Sequence, residues 1–336
     1  MLLKSINVGI IGVSGYTGLE LVKMVLKHPI FNLNYVANSE GGTTLSSLHP
    51  SLKSVSDIEV KKADVLECTL HCELVFLALP HKAAMEFVKP LIAKGLKVVD
   101  LSADYRLPLE VYEKHYTKHT DELNLTHAIY GLPELFMSEL KSAKLVANPG
   151  CFPTSSILAI LPFLNYIKKD SPIIIDAKTG VSGAGKKLSE TTHFVNVHEN
   201  LFAYNPLSHR HAPEIAHKLG IDLSRISFVP HLCPVTRGML SSIYLQVDGS
   251  FDELEVLGEF YKDARFVRVL KEPVDMKSVA GTNFCDIFVK RNGNVLFISS
   301  AIDNLMRGAS SAALVNANIM LGLDESLGVP DIAYVP

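Results

Sequence analysis

The chain has 336 residues, 48% of them hydrophobic and 20% charged, with a formal net charge of −3. That length accommodates two domains with ample cores, and the near-neutral charge gives no electrostatic case for binding nucleic acid. No apolar run reaches the roughly 18–20 residues of a membrane helix, and residues 1–7 lead into a strand pattern without a signal-peptide layout. An odd number of cysteines, 5 in all and scattered at 68, 72, 151, 233 and 285, points to a reducing cytoplasm rather than a disulfide framework.

Strand and helix signals alternate along the first half. Residues 6–11 read as a short apolar strand, and 16–27 carry apolar positions at helical spacing. Further strands are expected at 34–37, 74–79, 97–101 and 145–147, with a helix near 82–93. Buried strands alternating with helices argue for a parallel sheet covered on both faces. After a helix expected over 154–168 the pattern changes. Strand-like runs at 173–177, 239–247, 284–290 and 294–302 have few helices between them, which suggests a mixed or antiparallel sheet. A last helix, about 305–321, is rich in small residues suited to close packing.

Several segments carry chemistry. The stretch Gly12-Val13-Ser14-Gly15-Tyr16-Thr17-Gly18 joins the first strand to the first helix. Glycines there allow a tight turn and set a pyrophosphate on a helix N-terminus, the sign of a dinucleotide site. The second strand ends Asn38-Ser39 with Glu40 one step beyond. An acid at the strand end would hold the ribose hydroxyl of NAD, whereas Ser39 suits a 2′-phosphate and so NADP. In Asn148-Pro149-Gly150-Cys151-Phe152-Pro153-Thr154, Pro153 suits a first helical turn, which puts Cys151 at a helix N-terminus. Amides and helix dipole there favour a thiolate nucleophile and can hold an oxyanion.

The segment Ser208-His209-Arg210-His211-Ala212-Pro213-Glu214 offers a histidine general acid/base. A His-x-His metal site is the runner-up, but the cysteines show no zinc spacing. Residues 179–187 form a glycine-rich loop able to approach a flat ring or phosphate. It is not a P-loop. Arg106, in the loop after the 97–101 strand, and Arg237 offer cations for an anionic substrate.

Together these segments resemble the N-acetyl-γ-glutamyl-phosphate reductase family along essentially the whole chain. The matching pieces are GVSGYTG at 12–18, LHP at 48–50, LSADYRL at 101–107, NPGCFPT at 148–154, TGVSGAGKK at 179–187, HRHAPEI at 209–215, PHLCPVTRG at 230–238 and DNLMRGA at 303–309. Aspartate-semialdehyde dehydrogenase and the phosphorylating glyceraldehyde dehydrogenases are wider relatives. The resemblance implies an α/β fold: a Rossmann-type dinucleotide-binding domain, residues 1–148 and 305–336, and an α+β catalytic and oligomerisation domain with a mixed or antiparallel sheet, residues 149–304. It also implies NADPH-dependent reduction of an acyl phosphate to an aldehyde through a cysteine thioester, in a homodimer or homotetramer.

By the same resemblance Cys151 is the nucleophile, and His211, or else His209, the acid/base. Gly12, Ser14, Gly15, Tyr16, Thr17, Ser39, Ser182, Gly183 and Asn304 are cofactor contacts. Arg106, Asn148, Arg210, Glu214 and Arg237 are substrate or phosphate contacts. Phe152, often tyrosine in the family, is expected not to touch the chemistry. The same chemistry on N-acetyl-aminoadipyl phosphate or aspartyl phosphate stays open, as do a Cys–His hydrolase without nucleotide and a non-enzymatic dinucleotide sensor.

Overall fold

In the computed structural model, which describes residues 4–334, the chain divides into two units. The first runs to Pro149 and takes back Ala309–Val329; the second is Gly150–Gly308 with the tail from Pro330.

The first unit is built on an eight-stranded sheet. Its strands are β1 (Ile6–Ile11), β2 (Phe31–Asn38), β3 (Thr43–Thr44), β4 (Glu59–Lys62), β5 (Leu74–Leu77), β6 (Lys97–Asp100), β7 (Ile129–Tyr130) and β8 (Leu145–Ala147). Their order is β3-β4-β2-β1-β5-β6-β8-β7. All pairs are parallel except β3 with β4. The chain builds outward from β1 on one side and, from β5, on the other. The strand order therefore reverses beside β1, where ligands of such sheets bind past the C-terminal strand ends. Strands such as β5 are buried at every residue, as a sheet covered on both faces requires.

The helix Ser311–Met320 is wholly buried. Its small residues let it lie close to the first helix, Tyr16–Val25, where the Ser310 hydroxyl donates to Thr17 O at 2.9 Å. The returning segment is shorter at both ends than the expected 305–336. Residues 305–308 and the tail belong to the second unit, where Asn283 N–H donates to Pro330 O and the Arg237 guanidinium lies over the Tyr334 ring.

The second unit carries a seven-stranded mixed sheet of β9 (Ile173–Gly180), β10 (Phe202–Ala203), β11 (Ile226–Cys233), β12 (Met239–Gln246), β13 (Val267–Leu270), β14 (Cys285–Asn292) and β15 (Val295–Ile302). The order is β10-β11-β9-β12-β15-β14-β13. The pairs β9–β11 and β13–β14 are parallel and the rest antiparallel. The helix Cys151–Ile160 lies on this sheet, with Ser155 Oγ on the hydroxyls of Ser241 and Ser300 at 2.9 and 3.0 Å. The helix starts at Cys151 rather than 154 and stops at Ile160. Pro162 cannot donate into an α-helical turn, so residues Leu161–Tyr166 tighten into a 3₁₀ turn.

Candidate active site

In the first unit, Gly12 sits at φ +100°, and a Cβ there would fall 2.2 Å from Ala78 O. A Cβ on Gly18 would fall 2.3 Å from Gly12 O. These two glycines let the turn fold onto the neighbouring backbone. Gly15 is different: its φ is −80° and a Cβ would meet nothing nearer than Gly12 O at 3.7 Å. Nothing inside the protein requires a glycine there, so the space over it is available to a group from outside. Gly15 is also the N-cap of helix Tyr16–Val25 and gives it no side-chain cap, which leaves first-turn amides for an anion. Ser14, Tyr16 and Thr17 are on the same turn, and Ser39 is exposed past the end of β2. His49, from the LHP segment, is buried with Nε2 2.6 Å from Val13 O and braces the turn. That role depends on a contact 36 residues along the chain.

The loop after β6 is a buried polar network. Ser102 donates its N–H and hydroxyl to Asp100 at 2.9 and 2.7 Å. Asp104 accepts from the amides of Lys82 and Ala84 and from the Tyr112 hydroxyl. Arg106 donates Nε–H to Asn148 O and an Nη–H to Leu101 O, both at 2.7 Å, so part of its guanidinium serves the scaffold. Asn148 is 1% exposed, and its amide donates to Ala309 O and accepts from Asn316. Both ends of the Asn148 side chain are therefore engaged within the first unit.

Burial, and after it the charge of Asp104, pushes the Asp100 carboxyl up to about 7. Between about pH 4 and 7 this carboxyl is protonated when folded and ionised when unfolded, so its contribution to stability declines as pH rises through that window. Asp100→Asn removes the decline. Denaturant unfolding is expected to show the variant gaining on the parent between pH 5 and 7.5; parallel profiles would contradict this.

In the second unit, Cys151 is the first residue of its helix. Pro153 has no N–H and the Thr154 N–H reaches Gly150 O at 2.9 Å, so the first-turn amides without an intrahelical acceptor are those of Cys151 and Phe152. Glu214 is 1% exposed and accepts the Gly150 N–H at 3.0 Å. Glu214, expected to contact substrate or phosphate, thus also braces the cysteine turn. Gly308 packs on Cys151: a Cβ there would lie 2.6 Å from Cys151 Cβ. Gly308→Ala is expected to cut kcat by about 100-fold through displacement of the thiol, with an unchanged far-UV spectrum; an undiminished kcat would contradict this.

His209 and His211 lie 4.8 Å apart, ring centre to ring centre. The Phe152 ring stands edge-on to them at 5.6 and 5.8 Å. Phe152, set aside in the sequence reading, is thus the floor for both imidazoles. His209 Nδ1 accepts the His211 N–H at 3.1 Å, and burial, with the Arg210 charge second, lowers the His209 ring to about 4. Arg210 itself is exposed.

Tyr204, also missed from sequence, packs edge-on to His209 at 5.6 Å. Its phenol is pushed up by burial and then by the Cys151 charge. The loop leading to the histidines holds Glu199, Asn205 and Leu207 at positive φ, strain of the kind that gathers at working sites.

Ser182 and Gly183 lie in the turn Val181–Ala184, whose backbone docks on residues 235–238. Asn304 ties the two: its Nδ2 donates to Ser182 Oγ at 3.0 Å and its Oδ1 accepts the Gly238 N–H at 2.8 Å. Arg237 grips the fully buried Asp303 at two points, 2.7 and 3.0 Å. Its charge is thus partnered by a carboxylate within the second unit. Among the described residues, no group of three or more His, Cys, Asp or Glu is placed to hold a metal, and no helix is long and apolar enough to cross a membrane.

Residues 7–143 match the semialdehyde dehydrogenase NAD binding domain and 151–304 the semialdehyde dehydrogenase dimerisation domain. A protein of Sulfurimonas denitrificans named N-acetyl-gamma-glutamyl-phosphate reductase is 70% identical over 99% of this chain and 100% of its own length. The chain belongs to the N-acetyl-gamma-glutamyl-phosphate reductase family. A reductase so named from Methanocaldococcus jannaschii is 42% identical over 98% of this chain and 99% of its own.

Outside the reductases, aspartate semialdehyde dehydrogenase II of Vibrio cholerae, complexed with ASA, shares the fold at a TM-score of 0.70 and 15% identity, over 95% of this chain and 99% of that one. The Candida albicans aspartate semialdehyde dehydrogenase with NADP does so at 0.69 and 15%, over the same shares. Membership among the reductases makes the chain an oxidoreductase and agrees with the α/β architecture of two units described above.

Proposed function

We propose that this chain reduces N-acetyl-γ-glutamyl phosphate to N-acetylglutamate 5-semialdehyde and phosphate with NADPH, a step of arginine synthesis. The observation that carries this is a cysteine at the first position of a buried helix, with Glu214 on the amide before it and two histidines on the ring of Phe152 after it, in a chain similar over its whole length to reductases of that name.

In this reading the Cys151 thiolate attacks the acyl carbon, and the bond from that carbon to the bridging phosphate oxygen breaks, so phosphate leaves and takes up a proton from solvent. The first-turn amides hold the oxyanion. The resulting thioester accepts hydride far better than a carboxylate would, which is why a covalent step is used. NADPH, when bound, supplies that hydride. His211 lends its proton to the tetrahedral oxygen that hydride addition leaves and takes it back as the carbon–sulfur bond breaks, so the aldehyde departs and the thiolate is restored with no net proton used in this half.

Gly12, Ser14, Gly15, Tyr16 and Thr17 are the proposed holders of the nucleotide, Ser39 of its 2′-phosphate, and Ser182 and Gly183, set by Asn304, of its nicotinamide end. Arg106 and Arg210 are the proposed anion contacts; Asn148, Glu214 and Arg237 act as positioning residues. The match of the second unit to a dimerisation domain supports a homodimer or a homotetramer, and a cytoplasmic location goes with this reading.

The test is the reverse reaction with N-acetylglutamate, N-acetyl-aminoadipate and aspartate semialdehydes, with and without phosphate, and with NADP⁺ against NAD⁺. Phosphate-dependent turnover is expected to favour the first aldehyde and NADP⁺. Preference for another aldehyde, or turnover without phosphate, would contradict it.

A further inference from the structure

The end of β2 is where a Rossmann-type sheet chooses between a ribose hydroxyl and a 2′-phosphate, yet residues 38–42, Asn-Ser-Glu-Gly-Gly, contain no cation. The Asn38 Oδ1 accepts the amides of Glu40 and Gly41 at 2.9 and 2.6 Å, which closes this loop on itself. Gly41 is at φ +70°, and a Cβ there would fall 2.3 Å from Lys62 N. The loop therefore lies directly on the backbone of Lys62.

The strand β4 runs parallel to β2, with Ala37 opposite Lys61 and Asn38 opposite Lys62, and the Ala63 N–H donates to Asn38 O at 2.8 Å. Two lysines thus flank the loop, and they differ. Lys61 Nζ is held by Glu67 at 2.7 Å. Lys62 is exposed and makes no ion pair among the described residues. Its backbone is fixed from beneath, where the Tyr35 hydroxyl spans Lys62 O and Asp64.

We propose that Lys62, reaching from β4 beside Ser39, supplies the cation that pairs with the 2′-phosphate and so selects NADPH over NADH. The exposed Glu40 carboxylate would otherwise disfavour that phosphate, and an ammonium one strand away offsets it. This rests on the assignment of the Gly12–Gly18 turn to a nucleotide, and the experiment separates the two.

Binding of NADP⁺ and NAD⁺ to the full chain is measured by calorimetry, without substrate, for the parent, Lys62→Gln and Lys61→Gln. Lys62→Gln is expected to raise the NADP⁺ Kd about tenfold or more and to weaken its salt dependence, with the NAD⁺ Kd within about twofold of the parent. Lys61→Gln is expected to change the ratio of the two by less than about twofold. Thermal unfolding at the parent temperature shows that each variant is folded. An NADP⁺ Kd unmoved in Lys62→Gln, or parallel weakening of both nucleotides, overturns the role of Lys62. A parent that binds neither nucleotide overturns the nucleotide assignment, and this proposal with it.

Discussion

Cys151→Ala is expected to lower kcat for phosphate-dependent oxidation of N-acetylglutamate semialdehyde by about 10⁴-fold or more, while the Kd for NADP⁺ stays within about twofold of the parent. The Gly12–Gly18 turn lies in the first unit and Cys151 opens the first helix of the second, so the two readouts separate. No other cysteine can substitute. Cys68 and Cys285 are wholly buried, and Cys72 and Cys233 are each 8% exposed. Cys151→Ser should fall nearly as far, because an alkoxide is far less accessible near neutral pH than a thiolate. Turnover retained in either variant would remove the thioester from the mechanism and favour direct hydride transfer or a hydrolytic or sensing role.

The second large effect separates the two histidines. Burial lowers His209 to about 4, and its Nδ1 is already an acceptor for the His211 amide. Near neutral pH its ring is uncharged, with the remaining proton on Nε2, so it is poorly matched to proton transfer there. His211→Asn is accordingly expected to cost about 10²–10⁴-fold in kcat and to remove a limb of the pH–rate profile, with His209→Asn costing about tenfold through misplacement of its neighbour. A larger kcat loss in His209→Asn would exchange the two roles. His209 also leaves a mark on stability. It is neutral when folded but protonated in the unfolded chain below about pH 6.5, so its contribution is lost as pH falls from about 6.5 to 4. His209→Asn should flatten that acid limb.

Much of the fold is legible in the sequence where one local rule governs. The glycine spacing at 12–18 announces the first turn, and the alternating runs announce the parallel sheet. Pro153 marks the helix start, although the apolar pattern begins three residues after the helix itself and continues past Pro162, where the helix has ended. The strand Ile226–Cys233 is harder to see because Pro230 interrupts it, an interruption that normally argues against a strand. The short strands Thr43–Thr44 and Glu59–Lys62 carry too few residues to show a period.

The candidate site divides in the same way. Cys151 and the histidines declare themselves by residue type and spacing. What the charged residues do does not, because it depends on partners distant in sequence. The pairing of Arg237 with Asp303 joins residues 66 positions apart. The bond from the Gly150 amide to Glu214 joins residues 64 positions apart. His49, Phe152 and Tyr204 act by packing and by a single carbonyl contact, for which no sequence motif exists.

The thioester on Cys151 is the center of the account, and it can be weighed directly. The enzyme is incubated with N-acetylglutamate semialdehyde and NADP⁺ in the absence of phosphate, quenched in acid and digested. The Cys151 peptide is expected to gain the mass of one N-acetylglutamyl group and to lose it when phosphate is added before the quench. NADPH formation with an unmodified Cys151 peptide, or an acyl group found on another residue, would contradict the account.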